Sequence, residues 1–169
     1  MEFIQRWTKK GEDSLTMKHM AIFSFMLKRN LRNVLVLEDD ARFYSSDWLS
    51  PSSQWQAILK ELPVDYDMVM LSDFGGFSRR GRQIGKHLFL AQASRVSSMY
   101  LVSTKGAQNM LKTLPIVGPF DFQINYAAGH GVPTNMPRAR VNNIKILWAE
   151  PAMSDQHDAT GAKQTVKAR

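Results

Sequence analysis

With 169 residues, 44% of them hydrophobic and 22% charged, the chain is long enough for one domain with a real core and short for two. The absence of cysteine excludes disulfides and thiolate metal sites, and no apolar run approaches the ~18 residues of a membrane span. A formal net charge of +7 permits anionic partners, but the cations are scattered, densest at Arg79-Arg80-Gly81-Arg82, so nucleic acid is not expected among them.

Residues 1–13 read as an irregular lead-in without the apolar core or cleavage site of a secretory leader. That points to the cytoplasm if Met1 is the true start, and leaves an ER or Golgi lumen open if the chain is a piece of a longer eukaryotic protein. Asp13 or Ser14 caps a helix running to about Leu31. Leu15, Ile22, Phe23 and Met26 share a face with His19; Lys18, Arg29 and Arg32 lie opposite, with Phe25 intruding among them. His19 is either a core histidine with one satisfied ring nitrogen, which the periodicity favours, or a group hydrogen-bonded toward the acidic segment that follows.

That segment begins as Val34-Leu35-Val36-Leu37, which reads as a short strand buried on both faces, and runs straight into Glu38-Asp39-Asp40. Three carboxylates at one strand tip repel one another, and an unpaired carboxylate is costly to desolvate. A hard divalent cation such as Mg2+ or Mn2+ is the simplest agent that removes the repulsion. The carboxyl end of a strand in an open α/β sheet is also where ligands bind. The bare triplet is equally readable as a solvated loop start or as acids facing a helix dipole.

Ser50-Pro51 opens a helix with Trp55, Ile58, Leu59 and Leu62 on one face, ended by Pro63. Asp67–Leu71 is a second buried strand, and residues 72–85 read as a loop rich in glycine and arginine that contains Asp73. His87–Ala91 and Ser98–Val102 read as strands that could pair with each other. Ser103 then caps a helix with Ala107, Met110, Leu111 and Leu114 on one face. Gly118-Pro119-Phe120-Asp121 opens a helix to about Ala128, where Asp121 is a dipole partner or a base held against a pocket. A loop with His130, a last strand at Ile144–Trp148 and a polar stretch from Pro151 complete an α/β pattern.

In order, these motifs are a helix carrying a histidine, Leu37-Glu38-Asp39-Asp40-Ala41 after a strand, a second strand at Asp67–Leu71, Tyr100-Leu101-Val102-Ser103 leading to Gly106-Ala107, Pro119-Phe120-Asp121 before a helix, and Glu150-Pro151 with Gln156. Together they resemble glycosyltransferase family 25, the group of lipooligosaccharide and procollagen galactosyltransferases, over roughly Ser14 to Gln156. The resemblance implies one domain over 14–156, with a basic tail at 157–169. Its implied fold is a GT-A-like (Rossmann-like) mixed sheet flanked by helices. Its implied activity is metal-assisted, inverting transfer of a hexose, typically galactose, from a UDP-sugar to a hydroxyl of a glycan, lipid-linked saccharide or protein.

Carried onto this chain, Glu38-Asp39-Asp40 would be the DxD-like motif, with Asp40 and Glu38 on Mn2+ or Mg2+, Glu38 or Asp39 toward the ribose or a metal-bound water, and His19 at the cofactor site. Asp121 would be the acceptor-side base with Asp73 as runner-up, and His157 or His130 a third metal ligand. The family pattern has a strand and helix before the histidine-bearing helix, and a serine where Lys18 stands before His19. The implied domain is therefore shortened at its N-terminus, with an exposed sheet edge that a partner could cover. Two other classes stay open: a non-catalytic accessory or binding module on the same fold, and a metal-dependent nuclease or phosphoryl-transfer enzyme. Peripheral contact with a membrane also stays open.

Overall fold

The computed structural model describes residues 10–43, 51–73, 79–93, 96–129 and 144–156. Helix α1 spans Lys10–Lys28, so residues 10–13 are helical rather than part of an irregular lead-in and neither Asp13 nor Ser14 is its cap, and it ends in a Schellman turn. Asn30 takes a φ of 53°, the Leu31 N–H reaches the Met26 carbonyl at 3.0 Å, and the Asn30 N–H reaches that of Leu27 at 3.2 Å. Asparagine tolerates the left-handed conformation, so the helix stops before the predicted Leu31.

The elements that follow are β1 (Asn33–Leu37), β2 (Ala41–Phe43), α2 (Pro51–Glu61), β3 (Met68–Met70), β4 (Ser72–Asp73), β5 (Arg79–Gln83) and β6 (Leu88–Ala93). The chain continues through β7 (Met99–Ser103), α3 (Thr104–Leu111), α4 (Phe120–Ala127), β8 (Ile146–Ala149) and β9 (Ser154–Gln156). Six strands form one mixed sheet in the order β1-β7-β3-β8-β6-β5. Strands β1 and β3 are both antiparallel to β7, and β3 is parallel to β8, so β1, β3 and β8 point the same way and end on one edge. Each of the three then feeds a strand of a second sheet, ordered β2-β9-β4.

Alternation along the strands decides the two cores. Met68, Met70, Tyr100, Val102, Ile146 and Trp148 face Met20, Phe23 and Met26 of α1, with Met110 of α3 and Phe120 and Ile124 of α4. Val69, Leu71, Met99, Leu101 and Leu147 face the other way, toward Ile58 and Trp55 of α2. The result is an α/β fold with a mixed six-stranded sheet flanked by helices.

Several sequence expectations need correction. β1 is a terminal strand rather than one buried on both faces. Val36 packs beneath the helices, whereas Leu35 and Leu37 are 37% and 44% exposed. On α1 the inward stripe is Thr16, His19, Met20, Phe23 and Met26, which leaves Leu15 exposed; on α2, Gln54 is buried in place of Leu59. The second part of the expected loop is strand β5, an arginine-rich edge whose order comes from pairing with β6 rather than from apolar alternation. Strands β6 and β7 do not pair with each other, since β8 and β3 stand between them. The polar stretch after Pro151 contains β9, the central strand of the small sheet.

One buried acid fastens the sheet to α3. Asp67 is fully buried and accepts hydrogen bonds from the Asn109 side chain at 3.0 Å and the Lys145 N–H at 2.7 Å, with the Lys105 ammonium 3.4 Å away. Its carbonyl lies so close to Gly106 that an added Cβ would collide with it, so α3 seats here only because that residue is glycine. Asp67→Ala leaves two part-buried donors, the Asn109 amide and the Lys145 N–H, without their acceptor and is expected to lower unfolding stability by about 2 kcal/mol. Urea titration checks this; a loss under ~1 kcal/mol would show that the junction contributes little.

Candidate functional site

Glu38 sits where β1 leaves the sheet. Its N–H donates to the Ser98 carbonyl at 2.8 Å, extending the β1–β7 pairing by one step, and its carbonyl accepts from the Ala41 N–H at 3.1 Å, closing a turn over Asp39 and Asp40. The acidic triplet is therefore a tight turn between the two sheets, at the edge where β1, β3 and β8 all end. Asp39 is exposed, and Asp40 is half-buried with its Oδ1 out of contact with solvent.

The Glu38 side chain turns back toward the core. Its Oε1 accepts from the Ser97 hydroxyl at 2.7 Å and lies 3.2 Å from His19 Nε2. His19 is 2% exposed, and its Nδ1 is 2.7 Å from the hydroxyl of the fully buried Tyr100. A carboxylate only accepts, so Nε2 carries a proton toward Glu38, and the Tyr100 O–H donates to Nδ1 when the ring is neutral. The ring face of His19 stacks on Phe120, centroids 3.9 Å apart and planes 7° from parallel. The Thr16 hydroxyl donates to the Gly118 carbonyl at 3.1 Å, tying α1 to the turn that opens α4.

Burial alone would push the Glu38 carboxyl up. Hydrogen bonds from His19 and Ser97, with the favourable electrostatics of the His19 ring, outweigh it and hold the group below its usual range. Burial also pushes Tyr100 well above its ordinary value, and the Glu38 charge adds to that, so the phenol stays protonated.

His19 thus meets both sequence readings: it faces the core, and it is hydrogen-bonded to the acidic tip. Its two ring nitrogens are engaged within the protein, so it reaches any ligand at the tip through Glu38. Asp121 is half-buried in the first turn of α4, next in sequence to the Phe120 that packs on His19. Asp73 enters through the backbone of β4, paired with Asp155 of β9, which pairs in turn with Arg42 of β2. His157 and His130 lie outside the described residues; Gln156, which precedes His157, pairs with Ala41 next to Asp40.

Among the described residues no three His, Asp or Glu side chains come together as a metal-holding group. Glu38 and Asp40 suit a hard cation in kind, being oxygen donors, but do not complete a ligand set by themselves. At the junction of the two sheets Ser98 Oγ and Ser154 Oγ are buried without a hydrogen-bond partner, hydroxyls of the sort that ordered water satisfies. Ser97 carries no signal in the sequence, and Tyr100 and Phe120 stand there only within motifs, with no link to His19. One signal was available for Tyr100, because a phenol in a strand as apolar as Met99–Val102 needs a buried partner.

No protein-family model matches the chain, and no curated protein matches it.

The depressed Glu38 pKa has a definite linkage sign. Its stabilising effect is fully present above the usual carboxyl value of 4.5 and is lost as pH falls through the lower folded value. Melting temperature followed across the acid range is expected to fall more steeply for the wild type than for Glu38→Gln. Coincident acid limbs would contradict the brace.

Proposed function

We propose that this chain is a UDP-sugar-dependent glycosyltransferase of GT-A type. It would move a hexose, by its family resemblance galactose, to a hydroxyl of a glycan, lipid-linked saccharide or protein acceptor, with Mn2+ or Mg2+ held at the acidic turn. The observation that carries the reading is the position of Glu38-Asp39-Asp40 at the common end of β1, β3 and β8, the edge where open α/β sheets take their ligands.

In this reading Asp40 and Glu38 would hold the cation, and His157 would be the further ligand. A bound divalent ion supplies positive charge that stabilises the departing diphosphate without a proton donor. Because Oε1 of Glu38 is committed to His19 and Ser97, its other oxygen is the one that would be left for a ligand. The brace keeps that carboxylate charged and fixed in direction, so it needs little reordering when donor arrives. Asp121, at the positive end of α4, takes the proton from the attacking acceptor hydroxyl, an inverting displacement at the sugar carbon.

A second reading has its own support. Glu38 Oε1 is taken up inside the protein by His19 and Ser97, an arrangement that also suits a structural carboxylate in an accessory module that keeps the fold and binds a saccharide or a protein without transferring sugar.

Calorimetric titration of UDP with and without Mn2+ separates the two. The expected result is binding that requires the metal and is abolished in Asp40→Ala. Asp121→Asn should keep UDP binding but lower transfer by roughly 100-fold or more. A folded wild-type protein that gives no heat with UDP in either condition would favour the accessory module.

A further inference from the structure

The inward stripe of α1 leaves an opposite stripe in water. Met17, Ala21 and Phe25 recur every four residues and so lie on one line of the helix; Met17 and Phe25 are 59% and 53% exposed. Both are large apolar side chains on a face that needs none for solubility. Lys18, Lys28 and Arg29, all exposed, flank the line, and the Arg29 guanidinium sits 5.4 Å over the Phe25 ring.

From Met17 to the end of α1 the charge around this stripe is of one sign, the acids of the helix, Glu12 and Asp13, lying in its first turns. The chain has 15 acidic residues, yet none falls between Ser14 and Leu37 or between Phe74 and Phe120. Helices α1 and α3 cover the same face of the large sheet, so the layer they form lacks acids from Ser14 through the rest of α1 and along the whole of α3. Lys112 at the end of α3 extends the cationic surface, whereas Lys105 is turned toward Asp65 and Asp67.

We infer that the outer face of the α1–α3 layer is a docking surface for an anionic lipid bilayer. A polyanion alone would reward the cations but not the exposed Met17 and Phe25. A bilayer interface rewards both: apolar side chains enter the head-group boundary, while lysine and arginine stems lie along it with their charges at the lipid phosphates. The surface is the outside of a helix layer, a shape that suits a plane. The inference goes beyond sugar transfer and stands whether or not the acidic turn binds a nucleotide.

Sedimentation of the full chain with vesicles tests it, using phosphatidylcholine alone against phosphatidylcholine mixed with phosphatidylserine. The wild type is expected to partition onto the mixed vesicles and not onto the neutral ones, with affinity falling as salt rises. Lys18→Gln with Lys28→Gln and Arg29→Gln should weaken partition by about fivefold for each cation lost. Met17→Ser with Phe25→Ser should weaken it by about tenfold with all cations kept. These side chains are exposed, so both variants should melt at the wild-type temperature. The idea fails if the wild type shows no preference for anionic vesicles. It fails equally if the serine variant binds as tightly as the wild type, or if the chain binds duplex DNA or an acidic polypeptide and leaves the mixed vesicles unbound.

Discussion

One buried imidazole joins the parts of this molecule that matter most. His19 hydrogen-bonds Tyr100 below it and Glu38 above it, and its ring lies flat on Phe120. Those contacts come from four elements: α1, the end of β1, β7 and α4. A carboxylate tucked against a hydrophobic core is strongly destabilising unless it is paired, so the acidic turn can point into the fold only because this ring and Ser97 meet it. The same ring supports the first turn of α4, where Asp121 stands. Two carboxylates far apart in sequence thus share a single support.

The sheet topology explains why the turn lies where it does. Three strands pointing the same way reach one edge, and each continues into the small second sheet instead of turning straight back. The junction is consequently lined by backbone and small hydroxyls: Ser72, Ser97, Ser98 and Ser154 are all buried there. Ser72 pairs with Ser154 within the small sheet and reaches across the joint to the Met99 backbone, its hydroxyl donating to the Met99 carbonyl and accepting from the Met99 N–H. Small side chains let two sheets meet closely, and their hydroxyls keep the joint polar beside the acids. On the opposite edge Asp67 fastens β3, β8 and α3 together, so the large sheet is pinned at both ends of its central strands.

Much of this was legible in the chain. The helix–strand order, the Ser103 cap, whose hydroxyl accepts the Gly106 N–H at 3.0 Å, and the Phe120–Ile124–Ala127 face of α4 follow from local periodicity and cap chemistry. What local pattern could not reach was pairing at long range. Val34–Leu37 has the composition of a central strand, but its place at the end of the sheet depends on which strands lie beyond it. Arg79–Gln83 has no strand pattern and is ordered by its partner β6. Of the site, the acidic turn could be read, whereas periodicity favoured His19 as a core residue and left its direction toward the acids as the alternative. The Tyr100 and Phe120 contacts could not, because sequence separations of 81 residues (to Tyr100) and more carry no periodic signal.

If the proposed transferase reading holds, the turn supported by His19 is where a metal and a nucleotide diphosphate would meet. Anomalous diffraction at the manganese edge from crystals grown with Mn2+ and UDP tests it directly. The expected result is a peak within bonding distance of Asp40 and of the Glu38 oxygen not taken by His19, with diphosphate density beside it. A manganese peak elsewhere on the chain, or UDP density away from the ends of β1, β3 and β8, would contradict it.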